Sequence, residues 1–168
     1  MRFFTGCHER TIDEKNRIQL PAQLRAGIDA ERDGAGLYII LGEHHGTLSI
    51  LTDRSFEELA DRIETEFMRG PEAKRFELQF YSLASHVDID KQGRFVLPDR
   101  LLKKARLNKD VVLVGQKHRI DIWNRGDYDR SLGIDWEGDA WPDWEDLLRT
   151  PPEELRRARS RDGGQASV

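Results

Sequence analysis

The hydrophobic and polar positions in the first part of the chain predict a series of short elements. The apolar residues within 3–12 predict a strand, and the polar tetrad 13–16 predicts a turn. Alternation over 18–20 predicts a second short strand. The segment 21–27 predicts a helix, because proline favours its first position and glycine favours its end. The charged, glycine-containing segment 29–36 predicts a connection.

The next part of the chain predicts a hairpin followed by a helix. Two β-rich runs within 37–51 flank a polar turn and predict the hairpin. Asp53 or Ser55 is placed to cap the helix that follows. The apolar positions of that helix recur at a spacing of three to four: Phe56, Leu59, Ile63 and Phe67. Gly70-Pro71 breaks this run, and the pattern predicts that helix resumes over 72–80.

The second half of the chain repeats the order of the first half. Residues 81–89 predict a strand, 90–94 a loop and 95–97 another strand. A helix is predicted over 98–105, again beginning at a proline. Two β-rich runs within 111–123 then predict a second hairpin.

One stretch shows the duplication most clearly. Ile12–Pro21 aligns without a gap with Ile89–Pro98, and Ile, Asp, Arg, Leu and Pro occupy the same places in both copies. Self-similarity of this kind indicates a duplicated structural unit. We therefore predict a mainly β protein with short helices (α+β), built from two tandem modules at residues 1–70 and 71–130. A third segment, 131–168, lacks the pattern.

The composition is that of a foldable protein with one domain or two small ones. The chain has 168 residues, of which 38% are hydrophobic and 35% are charged. Its longest apolar run, 37–41, is too short to span a bilayer, and its first residues lack the apolar core of a signal peptide. Cys7 is the single cysteine, so no intrachain disulfide can form, and we expect a cytoplasmic protein with no membrane partner.

The formal net charge of -4 hides two patches of opposite sign. Within 87–106, six cations outnumber three anions, whereas within 121–154 eleven acids face three arginines. Local fields steer ligands more than the total charge does, so the basic patch keeps nucleic acid as a candidate partner. The segment 131–168 is acidic and contains tryptophans, and its end over 158–168 is predicted to be disordered.

Each copy of the repeat contains an acid four positions before an arginine, Asp13 with Arg17 and Asp90 with Arg94. An arginine at a turn that leads into a strand can reach phosphate oxygens or the N7 and O6 atoms of guanine. Neighbouring side chains can add phosphate or base contacts: Lys15, Asn16, Lys91 and Gln92. The acids would repel phosphate, so we expect them to close the turn or orient the arginine. The alternative is an exposed Asp–Arg pair with no ligand.

Other reactive side chains do not define a site from the sequence. His44 and His45 follow Glu43 in a predicted turn, but a metal site needs further ligands at suitable spacing. Cys7 and His8 are a nucleophile and a base for which the sequence identifies no further partner. No motif demands a catalytic cleft. We therefore expect no metal, no cofactor, no small-molecule substrate and no enzymatic activity.

Several segments occur in an order that resembles the MraZ family of bacterial transcriptional regulators. The segments are Phe4–Gly6, Asp13–Pro21, Asp90–Pro98, Leu101-Leu102, Leu107–Gly115 and Arg119–Trp123, which together span roughly residues 1–130. The resemblance implies two swapped-hairpin modules of the SpoVT/AbrB type, packed as an intramolecular pseudo-dimeric barrel. It also implies a ring-shaped homo-oligomer, associated with the nucleoid. Such a protein binds double-stranded DNA at repeated sites upstream of the division and cell-wall gene cluster, usually as a repressor.

The DNA-binding loop of that family has the pattern Asp-x-x-x-Arg, usually with Lys and Gly before the Arg. Carried onto this chain, the pattern assigns Asp13, Lys15, Arg17, Asp90, Gly93 and Arg94. Asn16 replaces the usual glycine in the first loop, and asparagine can still adopt a positive φ. Gln92 replaces the usual lysine in the second loop, which removes one phosphate contact.

A different class of function stays open at this point. AbrB-type modules also serve as antitoxins that bind a toxin through an acidic C-terminal segment, and residues 135–154 resemble such a segment. Antitoxins of that type carry a single module, whereas this chain has two.

Overall fold

Strands and short helices alternate along residues 3–66 and 70–132, the part of the chain that the structure, a computed structural model, describes. The strands are β1 (Cys7–Thr11), β2 (Arg17–Gln19), β3 (Gly36–Leu41), β4 (Leu48–Thr52), β5 (Ser85–Asp88), β6 (Arg94–Val96), β7 (Asp110–Gln116) and β8 (Arg119–Asn124). The helices are α1 (Ala22–Arg25), α2 (Ala30–Asp33), α3 (Asp53–Glu66), α4 (Pro71–Leu83), α5 (Asp99–Ala105) and α6 (Arg125–Leu132). None of these described helices combines the length and the apolar composition that a membrane span requires. The predicted disorder over 158–168 lies outside the described residues.

The strands of the two repeats interleave in one antiparallel sheet with the order β1-β7-β8-β4-β3-β5. The first strand of each repeat pairs with the third strand of the other repeat. Cys7 of β1 lies opposite Val114 of β7, and Val87 of β5 lies opposite Leu37 of β3. Strands β4 and β8 pair at the centre of this arrangement. The predicted α+β class, with mostly antiparallel pairing and short helices, is confirmed.

Strands β2 and β6 form a separate two-stranded ribbon. Ile18 and Phe95 of the ribbon belong to the same buried cluster as Leu37, Leu113 and Ile122 of the six-stranded sheet. The main core therefore lies between the ribbon and the sheet. In the described part of the chain, β1 and β5 remain the two edges of the sheet, so the barrel that the resemblance implies is not seen as a closed sheet.

Two side-chain caps that the hydrophobic pattern does not show set the starts of α2 and α3. Asp29 accepts the backbone N–H of Glu31 at 3.1 Å and so begins α2 inside the predicted connection. The prediction that Asp53 or Ser55 caps the next helix is wrong. The hydroxyl oxygen of Thr52 accepts the backbone N–H of Ser55 at 3.2 Å, and Asp53 already lies within α3.

The strand predicted over 81–89 is shorter than its pattern indicates. Helix α4 continues to Leu83, and β5 begins only at Ser85. The ring of Phe80 stacks on Phe56 of α3 at a centroid distance of 5.9 Å, a tertiary contact that favours helix here over the local β pattern. The prolines predicted at the first position of α1 and α5 each lie one residue earlier, at the N-cap.

The substitution Gly115→Ala tests the exchange of strands between the repeats. A Cβ atom at Gly115 of β7 would lie 2.3 Å from the backbone nitrogen of Thr5, in the segment that leads into β1. Because the obstructing atom is backbone, we expect a loss of about 1–3 kcal/mol in the free energy of unfolding, measured by urea denaturation. Gly126→Ala is the control, because a Cβ atom at Gly126 would have its nearest neighbour 3.9 Å away and alanine favours helix. Equal stability of the two variants would contradict the close approach of this segment to β7.

Candidate nucleic-acid interface

One carboxylate organises the first loop. Asp13 Oδ1 accepts the backbone N–H groups of Lys15 and Arg17, both at 2.9 Å, while Oδ2 accepts Nε–H of Arg17 at 2.7 Å. Two backbone bonds of 3.0 Å, from Asn16 N to Asp13 O and from Asp13 N to Arg17 O, close the turn. Asn16 has a φ of 57°, so the residue in place of the usual glycine takes the left-handed conformation.

The second loop repeats this geometry with different residues. Asp90 Oδ1 accepts the backbone N–H groups of Gln92 at 2.8 Å and Arg94 at 2.9 Å, and Oδ2 accepts Nε–H of Arg94 at 2.9 Å. Gly93 supplies the positive φ, here 78°. The two loops therefore have the same shape although only their Asp and Arg are identical.

The same bonds act on the ionisation of the acids. The backbone N–H of Arg17 lowers the pKa of Asp13 below its ordinary value of 3.8, and the side chain of Arg17 and the N–H of Lys15 add to this. The backbone N–H of Arg94, with its side chain, lowers the pKa of Asp90 in the same way. Both carboxylates are therefore ionised at neutral pH, and each bonds its arginine with charge assistance.

The ribbon of β2 and β6 brings the two loops to one surface. Ile18 lies opposite Phe95, and both are buried, with 1% and 2% of their surface exposed. Because successive strand residues point to opposite faces, the pairs on either side of this buried pair face outward. These pairs form what we call the ribbon face: Arg17 with Val96, and Gln19 with Arg94.

Each loop is also held by the strand of the other repeat. The backbone N–H of Leu20 donates to Gly93 O at 2.8 Å, and that of Leu97 donates to Asn16 O at 2.8 Å. The side-chain amide of Gln19 donates to the backbone carbonyl of Gln92 at 3.3 Å. The positions of the two loops are therefore coupled through the ribbon.

The arginines keep hydrogen-bonding capacity for a ligand. The side chains of Arg17 and Arg94 are 34% and 35% exposed, and within residues 3–66 and 70–132 each guanidinium bonds only through Nε to its loop acid. Their Nη groups can donate to phosphate oxygens or to a guanine edge. Lys15, Lys91 and Gln92 are exposed beside them. The structure thus brings the predicted loop residues together, while their binding of DNA stays a prediction.

Two residues of the ribbon face were not predicted as functional. Val96 is 51% exposed, and Gln19 is exposed as well. The register between β2 and β6 places Val96 opposite Arg17 and Gln19 opposite Arg94, which neither copy of the repeat shows by itself. The only sequence signal was that these two residues occupy the same place in the aligned copies.

The other candidate side chains do not converge on a site. The His44 ring lies 5.0 Å from that of Trp123, centroid to centroid, and Cys7 is exposed. Over the ranges that the structure describes, no three His, Cys, Asp or Glu side chains form a group that could hold a metal ion.

Comparisons with known proteins find similar chains over most of this sequence. A family model described as "MraZ protein, putative antitoxin-like" matches residues 80–133. A transcriptional regulator MraZ from Mycoplasmopsis pulmonis (strain UAB CTIP) is 36% identical over 125 residues, which cover 74% of this chain and 80% of the relative. A relative of the same name from Mycoplasma mobile is 32% identical over 77% of this chain and 84% of its own length. One from Coxiella burnetii is 29% identical over 89% of this chain and 95% of its own.

The lowered pKa of Asp90 predicts a pH-dependent contribution to stability. An ionised Asp90 stabilises the folded state above the pKa of the unfolded chain, near 3.8, and this contribution is lost as the pH falls through the lower folded pKa. We expect wild type to be more stable than Asp90→Asn near neutral pH and the difference to disappear in strong acid. Urea denaturation at several pH values, with an NMR titration of the carboxyl, measures this. A difference that does not change with pH would contradict the assigned bonds.

Proposed function

The chain belongs to the MraZ family of transcriptional regulators, and on this basis we propose that it binds double-stranded DNA sequence-specifically through its two Asp-x-x-x-Arg loops. The observation that carries the proposal is the ribbon face, where Arg17 and Arg94 project from one exposed surface with their Nε atoms already held by Asp13 and Asp90. Holding each guanidinium before binding lowers the entropy cost of ordering it on DNA.

The dimensions of the ribbon support this proposal. A two-stranded β-ribbon can enter the major groove of B-DNA. Arg94 lies opposite Gln19, two positions along β2 from Arg17. At ~3.4 Å per residue this separation is on the order of 7 Å along the ribbon, similar to about two base-pair steps. Both guanidinium groups can therefore contact the same groove.

The side chains around the arginines divide by the kind of contact they can make. The cations and amides of the loops are suited to contact phosphate and sugar, and such contacts set the register of the protein on the duplex. These residues are the exposed Lys15, Lys91 and Gln92 and the half-buried Asn16. Gln19 and Val96 of the ribbon face are suited to base edges, an amide to adenine and an apolar side chain to the thymine methyl group. Asp13, Asp90 and Gly93 shape the loops.

We also propose that residues 1–70 and 71–130 are two AbrB-like modules that form a swapped-hairpin pseudo-dimer. The support is the interleaved pairing, in which β1 joins the strands of the second repeat and β5 joins those of the first. Neither half would form the ribbon alone, because each half supplies one of its two strands.

Self-association into a ring is the third part of the proposal. Helix α4 has no buried residue, although it contains several large apolar side chains. Leu78 is 72% exposed and Tyr81 is 45% exposed. An apolar helix face that residues 3–66 and 70–132 leave exposed is suited to contact a second copy of the chain. A ring of copies would present many loops to repeated DNA sites and raise the avidity.

The biological target follows from family membership together with the proposed DNA binding. We propose a repressor that acts at repeated sites upstream of the division and cell-wall gene cluster, in the cytoplasm and associated with the nucleoid. The matching family is also described as antitoxin-like, which supports a second candidate function. In that function the acidic segment 135–154, which lies outside the described residues, binds a toxin. Co-purification of a stoichiometric protein partner without any DNA preference would favour that candidate.

Removal of either arginine tests the DNA-binding proposal. We expect Arg17→Ala and Arg94→Ala each to weaken binding to a duplex from upstream of the chain's own gene by roughly tenfold or more. The thermal midpoint should change little, because an exposed ion pair contributes little to stability. Fluorescence anisotropy over a salt series, with a scrambled duplex beside it, measures affinity and specificity. Wild-type affinity in both variants would contradict the proposal. If the variants unfold instead, the Asp–Arg pair has a structural role rather than a role in DNA binding.

The exposed face of α4 predicts the effect of a charge on assembly. We expect Leu78→Glu to reduce the mass of the assembled protein in size-exclusion chromatography with light scattering, since a buried, unpaired carboxylate opposes association. Lys74→Ala, an exposed change on the same helix, is the control. An unchanged mass for Leu78→Glu would remove α4 from the proposed interface.

A further inference from the structure

The two loops have the same shape but different charge. Glu14 in the first loop aligns with Lys91 in the second, and Lys15 aligns with Gln92. Counting acids and bases, residues 13–17 carry no net charge, whereas residues 90–94 carry one positive charge. The second loop therefore attracts phosphate more strongly than the first, although it has Gln92 where the first loop has Lys15.

A cation from the first repeat reaches the second loop. Arg25 ends α1, a helix that follows β2 directly and is held by the bond from Arg25 N to Pro21 O at 2.9 Å. Its guanidinium passes over Gly93: a Cβ atom at Gly93 would lie 2.4 Å from Nη1 of Arg25 and 3.3 Å from its Cζ. The absence of a side chain at Gly93 is what lets the guanidinium approach the loop this closely.

No described side chain pairs with the charge of Arg25, so this charge is available to bind an anion. The residue is exposed, and its side chain makes no hydrogen bond or ion pair with the parts of the chain described, 3–66 and 70–132. In contrast, the guanidinium groups of Arg17 and Arg94 each hold a carboxylate at less than 3 Å. An exposed arginine with no acid partner among the described residues, beside a turn of the same sign, strengthens the local positive potential, and such a potential attracts an anion.

The aligned position of the second repeat does not supply a matching cation to the first loop. In the aligned repeat the position of Arg25 is taken by Leu102, which packs against the main core, and the position of Gly93 is taken by Asn16. The repeat therefore places an arginine beside the second loop at a position where its other copy has a leucine.

We propose that Arg25 is a phosphate-binding residue of the second loop and that it makes this loop the stronger of the two DNA contacts. The inference rests on the proposed DNA binding. A planar guanidinium beside Lys91 and Arg94 gives three cations around one turn with one acid, Asp90. That arrangement suits the bidentate recognition of a phosphate oxygen pair on the duplex backbone.

The test compares Arg25→Gln with Arg54→Ala in anisotropy titrations of the full chain on the upstream duplex and on a scrambled one. Glutamine keeps most of the side chain's packing, and Arg54 is an exposed arginine on α3, which packs on β3, β4 and α2. For Arg25→Gln we expect a roughly fivefold to tenfold loss of affinity near 0.1 M salt on both duplexes, with the slope of log K against log salt reduced by about one. Arg54→Ala should behave as wild type.

Two further variants separate the possible failures. Gly93→Asn copies the residue of the first loop and should displace the Arg25 guanidinium without removing its charge, so we expect a loss of affinity in the same direction. Arg25→Lys should retain the salt slope.

If Arg25→Gln matches Arg54→Ala while Arg17→Ala still weakens binding, the role of Arg25 is overturned and DNA binding stands. If Arg17→Ala and Arg94→Ala also bind as wild type, the proposed function itself fails.

Discussion

The arrangement depends on one carboxylate in each repeat that accepts three hydrogen bonds. Asp13 and Asp90 each bond two backbone N–H groups of the turn and the Nε–H of the arginine four positions later. The same carboxylate therefore sets the path of the backbone and the direction of the guanidinium. It also explains why an acid occurs at a surface that we propose for the binding of phosphate. Its charge is compensated within the loop, and the Nη groups of the arginine remain available.

The second requirement is that the two loops meet, although they are far apart in the sequence. This follows from the pairing of β2 with β6, where Ile18 and Phe95 are buried against the sheet and the adjacent pairs face solvent. A shift of the register by one residue would bury Arg17 and Arg94 and expose the apolar pair. The hydrophobic core therefore fixes which side chains form the ribbon face, so stability and the candidate interface depend on the same alternation.

Much of this was predictable because the repeat contains its own local signals. The polar tetrads, the prolines after the strands and the alternating hairpins predict most elements, and the positive φ of Asn16 follows from its residue type. The element boundaries that the sequence did not predict correctly depend on contacts across the fold or on side-chain caps. The start of α2 depends on Asp29, and the length of α4 depends on the packing of Phe80 on Phe56. The roles assigned to Val96 and Arg25 required the cross-strand register and the approach of α1 to Gly93, which no pattern in a single segment contains.

Hydrogen–deuterium exchange of the full chain, read by mass spectrometry with and without a duplex from upstream of its gene, tests whether the ribbon face contacts DNA. We expect DNA to slow exchange in peptides covering residues 13–19 and 90–96 together, because both loops belong to one surface. Exchange in peptides from α3 should be the same with and without DNA, provided that the free and the bound protein have the same oligomeric state. Protection confined to α3, or a bound state in which neither loop is protected, would contradict the claim that the ribbon face is where this regulator contacts DNA.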